Sequence, residues 1–136
     1  GALTLYVDSS ALIKRYVEEP DCETAESTLR GDPVWVTGRH TSVEVRRNLA
    51  RLLARRGLAE ARREFERDWA RFGIIEIDAQ TCLIASEIAE LVGARTLDAL
   101  HLAAATRVGV SAITFLTFDI RQAECARGLK MTVVGV

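Results

Sequence analysis

Four carboxylates stand at comparable places in the chain, each at or near the start of a predicted helix. Asp8 and Asp119 directly follow apolar runs, and Glu44 and Asp98 lie in the first turns of predicted helices. If folding brings them together, they repel one another and raise each other's pKa values. A hard divalent cation such as Mg²⁺ or Mn²⁺ relieves that repulsion, because it prefers oxygen ligands. A metal ion held in this way activates water and stabilises charge on a phosphate, so the four acids favour phosphodiester hydrolysis.

Each acid also has a purely structural interpretation. An aspartate just before a helix is a favoured N-cap, which accounts for Asp8 and Asp119 taken singly. The segment 41–44 fits a capping box, in which Glu44 returns to the backbone that precedes it. Asp98 lies in a helix that is apolar nearly all round, where a carboxylate in the first turn is stabilised by the helix dipole. The metal interpretation therefore depends on the four acids together.

The elements that carry these acids alternate between strand and helix along the chain. Apolar runs predict five strands, at residues 3–7, 34–37, 74–77, 112–118 and 131–134. Helical spacing predicts helices at residues 9–17, 22–29, 41–53, 58–72, 79–92, 97–108 and 120–127, with breaks at the Gly31-Asp32-Pro33 turn and at Gly57. Apolar strands that alternate with helices indicate a parallel sheet covered on both faces, here a single domain over residues 1–136. Functional groups gather beyond the carboxyl ends of such strands.

Composition restricts the class of protein. The 136 residues suffice for one domain with a sizeable core, and nearly half of them are apolar. No apolar run reaches the length of a membrane span, and the N-terminus lacks the pattern of a signal peptide. Cys22, Cys82 and Cys125 are widely spaced, so they predict neither a disulfide framework nor a cysteine zinc site. We therefore expect a soluble protein of the cytoplasm.

Four segments together resemble the PIN domain, and specifically the VapC-type toxin ribonucleases of bacterial toxin–antitoxin pairs. The matching segments are Val7–Leu12, Thr41–Val45, Leu97–Ala105 and Leu116–Asp119. They occur in the order and spacing of the family over essentially the whole chain. The resemblance implies a three-layer α/β/α PIN-like domain with a five-stranded parallel sheet. It also implies a homodimer that joins a cognate VapB-type antitoxin in a larger complex.

The same resemblance assigns roles to individual residues. It implies an endoribonuclease dependent on Mg²⁺ or Mn²⁺ that cleaves structured RNA, either tRNA or rRNA. Its catalytic, metal-binding acids would be Asp8, Glu44, Asp98 and Asp119. The first and third are expected to bind metal directly, and the other two to bind directly or through water, or to position the attacking water. Ser9 and Thr117 would supply hydroxyls that hydrogen-bond the carboxylates or a metal-bound water.

Two histidines are further candidates for a functional role. His101 follows Asp98 by three positions and shares a helix face with it, so it could serve as a metal ligand or a base. We expect instead that it packs in the core with one hydrogen bond. His40 precedes the helix of Glu44 and could touch RNA, although a plain loop position is the simpler expectation.

Arginines spaced by four predict a basic stripe on each of two helices. The stripes are Arg47, Arg51 and Arg55, followed by Arg63, Arg67 and Arg71. Acidic residues are interleaved with the second stripe, which indicates a solvated face. For the first stripe, contact with RNA phosphates through Arg47 and Arg51 stays an open alternative. Arg46 is a further RNA-binding candidate, since it neighbours Glu44 and could pair with an acid of the pocket in the free protein.

Two alternatives to a toxin ribonuclease remain. A PIN nuclease of RNA maturation would share the site without having an antitoxin. A phosphoacceptor receiver domain also gathers acids at the ends of parallel strands, with Asp78 accepting phosphate and Asp8 helping to hold Mg²⁺. Receivers carry an adjacent acid pair after the first strand and a lysine after the last one. This chain has a single acid at Asp8, and Lys130 precedes the last strand, so the receiver is disfavoured.

Overall fold

The computed structural model describes residues 4–31 and 34–136, which fold into alternating strands and helices. The strands are β1 (Thr4–Val7), β2 (Val34–Gly38), β3 (Gly73–Ile75), β4 (Ile113–Thr117) and β5 (Thr132–Gly135). The helices are α1 (Ser9–Leu12), α2 (Cys22–Gly31), α3 (Thr41–Leu52), α4 (Arg55–Trp69), α5 (Ala79–Val92), α6 (Thr96–Val108) and α7 (Ile120–Gly128). Leu3 and the predicted turn at Asp32-Pro33 lie outside the described residues.

The strands form one parallel sheet with the order β3-β2-β1-β4-β5, which confirms the predicted fold class. The chain builds outward from β1 through β2 to β3, and then returns to place β4 and β5 on the other side of β1. The strand order therefore reverses at β1. In open α/β sheets such a reversal leaves a crevice at the carboxyl ends of the two central strands, here β1 and β4.

The sheet is covered on both faces, so its central strands carry apolar side chains on both faces. Leu5 and Val7 of β1 join one core, and Tyr6 of the same strand joins the other, because successive side chains alternate between faces. Tyr6 stacks on Phe115 of β4 with ring centroids 5.1 Å apart. The strand that precedes Asp8 is thus held from both sides.

Helix α6 is buried through its middle rather than along its whole length. Its residues 101–105 are all buried, and small alanines allow it to lie close to the sheet. Its first turn emerges from the core, since Leu97 is 49% exposed and Asp98 is half-buried. The prediction of a buried helix is confirmed for its body, while the turn that carries Asp98 opens towards solvent.

Some local predictions were wrong. The break expected at Gly57 falls instead at Leu53 and Ala54, which are extended, and Gly57 lies inside α4. The extended backbone lets Leu53 pack on the core, whereas Leu52, the last residue of α3, is 40% exposed. The first helix ends at Leu12 and continues as a single 3₁₀ turn. No helix among the described residues has the length and hydropathy needed to cross a bilayer.

A polar cluster ties the turn after α1 to α4. The carboxylate of Asp68 accepts hydrogen bonds from Arg15 Nε at 2.9 Å, from Arg15 Nη2 at 3.2 Å and from Tyr16 Oη at 2.5 Å. Burial and the neighbouring Asp68 carboxylate raise the pKa of Tyr16, so its hydroxyl keeps its proton and donates. Removal of Asp68 would leave two donors without their shared acceptor.

We expect Asp68→Ala to lower the free energy of unfolding by about 2–3 kcal/mol, because Tyr16 Oη and two nitrogens of Arg15 lose their acceptor, while Arg15 keeps its contact with Glu26 at 3.1 Å. Urea denaturation followed by circular dichroism measures the change. Glu66→Ala is the matched control, since Glu66 on the same helix makes only an exposed ion pair with Arg46 at 3.7 Å. The control should change stability by less than about 0.5 kcal/mol. Equal losses in the two variants would contradict a structural role for the Asp68 cluster.

Candidate active site

The four predicted acids converge on one open pocket of about 470 Å³ at the carboxyl ends of β1 and β4. Asp8, Glu44, Asp98 and Asp119 all line this cavity, which we call the acid pocket. They come from four different elements or turns, and the reversal of strand order at β1 is what brings them together. The predicted convergence of the acids at one edge of the sheet is present in the structure.

Asp8 and Asp119 are helix caps as well as pocket residues. Asp8 Oδ1 accepts hydrogen bonds from the Ala11 amide at 3.1 Å and from Ser10 Oγ at 2.6 Å, which caps α1. Asp119 Oδ1 accepts from the Gln122 amide at 3.1 Å, which caps α7. The capping interpretation is therefore correct for both residues, and it is compatible with a place in the pocket.

Asp8 is the most buried of the four acids, with 3% of its surface exposed. Burial raises its pKa above the ordinary value, and His101, Ser10 and Thr117 counteract part of that rise. Hydroxyl and amide donors alone do not compensate a buried carboxylate as well as a cation does. A positive ion in the acid pocket would therefore stabilise the ionised form of Asp8.

Glu44 is held by a chain of hydrogen bonds that reaches into the core. Its Oε1 lies 2.7 Å from His101 Nε2, and His101 Nδ1 lies 2.8 Å from Tyr6 Oη, which also accepts the Gly38 amide at 3.1 Å. The predicted capping box was wrong, because α3 begins after His40 and Glu44 contacts His101 instead. The expected single hydrogen bond of His101 was also wrong, since this side chain makes two.

These contacts set the charge of Glu44. Burial alone would raise its pKa, but the hydrogen bond with His101, with contributions from the two neighbouring histidines and the Ser9 hydroxyl, outweighs burial and lowers it. Glu44 is thus ionised at neutral pH. The predicted hydroxyl role of Ser9 corresponds to this contact with Glu44.

His40 packs beside the same carboxylate. Its ring centroid lies 4.2 Å from that of His101, and its Nε2 lies 3.8 Å from Glu44 Oε1. Burial and the neighbouring His101 lower the pKa of His40 to about 4, so the ring is neutral at pH 7. The prediction of a loop position is right for its backbone, but its side chain belongs to the wall behind the acid pocket.

Asp98 and Asp119 share a cation, Arg95. The Nε of this arginine lies 3.2 Å from Asp98 Oδ2, and its Nη2 lies 3.6 Å from Asp119 Oδ2. Its side chain is 59% exposed and lines the pocket mouth. The sequence analysis did not identify Arg95, although its place three positions before Asp98 predicts an ion pair between the two.

Ser10 is a second residue that sequence reasoning missed. Its hydroxyl donates to Asp8, lies 3.3 Å from Thr117 Oγ1, and accepts the Phe118 amide at 3.0 Å. Thr117 in turn accepts the Asp119 amide at 3.1 Å and contributes to holding the Asp8 carboxylate. The predicted role of Thr117 as a supporting hydroxyl agrees with this network, in which Ser10 joins the ends of β1 and β4.

The predicted RNA-binding arginines lie away from the acid pocket. Arg46 pairs with Glu66 of α4 at 3.7 Å, so the expectation that it faces the acids was wrong. Arg47 is exposed, and Arg51 contacts Asn48 at 3.3 Å. A shallow groove beside α3 and α4 is lined by Arg46, Arg62, Arg63, Glu66 and Arg67.

Asp78, which would accept phosphate in a receiver domain, makes its contacts outside the acid pocket. It caps α5 through the Thr81 amide at 2.9 Å and pairs with Arg107 at 2.8 Å. The Thr81 and Arg107 hydrogen bonds lower its pKa to about 2. Asp78 follows the edge strand β3 and does not share the acid pocket, so the geometry of a receiver is not met.

The donor set of the acid pocket fits a hard divalent cation. Four carboxylates supply the oxygen ligands that Mg²⁺ and Mn²⁺ prefer. Two of them already hold a positive charge, the guanidinium of Arg95, at the mouth of the pocket. A divalent ion would replace this single exposed charge with a stronger one.

We expect Arg95→Gln to tighten Mn²⁺ binding several-fold, because the ion no longer displaces a competing cation from Asp98 and Asp119. Isothermal titration of the metal-stripped protein with Mn²⁺ measures the change. Arg107→Gln serves as the control, since that arginine also pairs with an aspartate, Asp78, but does so outside the pocket. Weaker Mn²⁺ binding by Arg95→Gln would contradict competition between the arginine and the metal.

The chain is similar to known proteins in both sequence and structure. The model of the PIN domain family matches residues 5–128. Ribonuclease VapC46 of Mycobacterium tuberculosis is 32% identical over 133 residues, which cover 96% of this chain and 95% of that protein. A toxin–antitoxin complex from Klebsiella pneumoniae contains a chain that superposes with a TM-score of 0.73 at 17% identity, covering 96% of both chains. VapC20 of M. tuberculosis, described as a toxin that cleaves the sarcin–ricin loop, gives a TM-score of 0.69 at 18% identity, covering 88% of this chain and 93% of VapC20.

Proposed function

The chain belongs to the PIN domain family, and from that premise we propose that it is a VapC-type ribonuclease whose acid pocket hydrolyses RNA with a bound divalent cation. One observation carries the proposal: Asp8, Glu44, Asp98 and Asp119 line a single pocket at the carboxyl ends of the central strands. All four lie within the residues that match the family, and a relative at 32% identity is a ribonuclease.

Each acid has a role that follows from its surroundings. When bound, Mg²⁺ or Mn²⁺ supplies Lewis acidity that lowers the pKa of water and stabilises charge on the phosphate. Asp8 and Asp98 would hold the ion, since Asp8 is buried with its pKa raised by burial, and Asp98 lines the same pocket. Asp119 adds a third carboxylate beside Asp98, as their shared contact with Arg95 indicates.

Glu44 is the residue best placed to orient the attacking water. It is ionised, and the hydrogen bond from His101 fixes the orientation of its carboxylate group. An ionised, oriented carboxylate accepts a hydrogen bond from water and draws off its proton. His101 acts on this step only through Glu44, so it is a positioning residue.

The substrate in this proposal is structured RNA, either tRNA or rRNA. Support comes from VapC20, which shares the fold and is described as cleaving the sarcin–ricin loop. The groove lined by Arg46 and three arginines of α4 offers phosphate contacts outside the acid pocket. Contacts with the RNA backbone come mainly from such side chains.

We also propose that the protein is the toxin of a toxin–antitoxin pair. A similar fold occurs in the toxin–antitoxin complex from K. pneumoniae. An antitoxin would neutralise this chain by covering the acid pocket or its approach. The homodimer implied by the resemblance stays a prediction, as does an RNA-maturation nuclease that has no antitoxin.

The proposal is tested with Asp98→Asn, which keeps the shape of the side chain and removes its charge. We expect cleavage of total cellular RNA in Mn²⁺ to fall on the order of 100-fold or more, because a metal ligand is weakened. Mapping of the 5′ ends of the products by sequencing then identifies the RNA that the wild-type protein cuts.

Asp78→Asn is the matched control, since Asp78 is also an acid at a helix N-terminus that pairs with an arginine, but it lies outside the pocket. It should cleave like the wild type. Thermal unfolding of both variants confirms that the fold is intact. Cleavage by Asp98→Asn at the wild-type rate, or cleavage that is unaffected by chelation of metal, would refute the four-carboxylate mechanism.

A further inference from the structure

We propose that His40, Glu44 and His101 form a second metal site, selective for a transition ion of the Zn²⁺ class, behind the acid pocket. This site goes beyond the proposed ribonuclease activity, because its ligands are two imidazoles and only one of the four acids. Glu44 is the one carboxylate that the two sites share, and His101 also lines the acid pocket.

The three side chains are close enough to coordinate one ion after a small adjustment. One ligand atom from each lies within 4.8 Å of the other two. Around a tetrahedral ion with bonds of about 2.0–2.1 Å, ligand atoms lie about 3.3 Å apart. His101 Nε2 lies 2.7 Å from Glu44 Oε1, and His40 Nε2 lies 3.8 Å from the same oxygen. One separation must open and the other close, each by about half an ångström.

His40 supplies an independent observation that points to a ligand. Both of its ring nitrogens are buried from solvent, and no side chain among the described residues hydrogen-bonds either of them. The hydrogen bond available to the ring there is with the backbone of Leu97. An imidazole has two nitrogens, and a buried one left without a partner is costly. Coordination through Nε2, the nitrogen near Glu44, would supply a partner.

The backbone around His40 is shaped to accept the ring. A Cβ added at Gly38 would lie 2.6 Å from both Cε1 and Nδ1 of His40, so that edge of the imidazole packs against the glycine. The ring is thereby held with Nδ1 against the chain, and Nε2 is the atom that faces the carboxylate. Any larger residue at position 38 would displace the ring.

His101 is oriented in the manner usual for a metal-binding histidine. Its Nδ1 lies 2.8 Å from Tyr6 Oη, a buried hydroxyl that fixes the plane of the ring. Histidine ligands commonly make such a contact with the ring nitrogen opposite the metal, which sets the tautomer and direction of the ligating atom. Here it directs Nε2 to the point where Glu44 and His40 converge.

The chemistry of the donors decides between ions. Neutral imidazoles suit Zn²⁺, Co²⁺ and similar ions, whereas Mg²⁺ prefers oxygen ligands alone. Three protein ligands with a remaining position open to water are typical of zinc sites that are not purely structural. The acid pocket and the histidine site therefore differ in the class of ion they select.

Titration of the metal-stripped full-length chain with Co²⁺, in excess Mg²⁺, tests the site. Four-coordinate Co²⁺ with nitrogen ligands absorbs visible light far more strongly than the six-coordinate ion in an oxygen site. We expect the wild type to develop the strong absorption at one equivalent, and Zn²⁺ to abolish it by displacement. We expect His40→Ala to weaken Co²⁺ binding at least about tenfold.

Asp98→Asn separates this proposal from the proposed function. It removes an acid-pocket ligand but none of the histidine site, so it should keep the strong Co²⁺ absorption even where cleavage is lost. The absence of strong absorption in the wild type, or equal Co²⁺ affinity in His40→Ala, would overturn the proposal and leave His101 as a hydrogen-bond support for Glu44. If His40→Ala fails to fold, NMR of the wild-type histidine side chains decides, since Zn²⁺ must shift the Nε2 resonances of both His40 and His101.

Discussion

The gathering of four carboxylates in one pocket at the edge of the sheet is the constraint on which the rest of the site depends. The reversal of strand order at β1 forces these groups together, and each is compensated differently. Asp8 accepts hydrogen bonds from a hydroxyl and an amide, and Glu44 accepts one from His101. Asp98 and Asp119 both form an ion pair with Arg95. The compensation is weakest around Asp8, where burial still raises the pKa. The divalent cation that we propose would supply the positive charge that the side chains around Asp8 do not.

Capping and metal binding are compatible at this edge of the sheet. Asp8 and Asp119 each use Oδ1 to begin the helix that follows a central strand. A cap holds its carboxylate at a known distance from the end of the strand, so the same contact that starts the helix also aims the side chain. The role of Asp8 and Asp119 as helix caps is therefore no argument against a functional role for the same two side chains.

The support of Glu44 extends much deeper than the pocket. Tyr6 belongs to the central strand and stacks on Phe115, and it holds His101, which holds Glu44. The Glu44 carboxylate is thus linked through His101 and Tyr6 to the central strand of the sheet. His40 packs on the same histidine, which places two imidazoles and one carboxylate at a single point.

The sequence alone determined the order of elements, the parallel sheet and the four acids, because these depend on local patterns. α5 spans residues 79–92 as predicted, since periodicity and the following Gly93 are local signals. Local signals failed at Gly57 and Glu44. The helix break moved to Leu53, whose burial outweighed glycine's preference, and Glu44 turned to His101, a residue 57 positions away. Only the tertiary structure decided such partnerships, including those of His40 and Arg95, because contacts between distant residues arise from packing rather than from spacing along the chain.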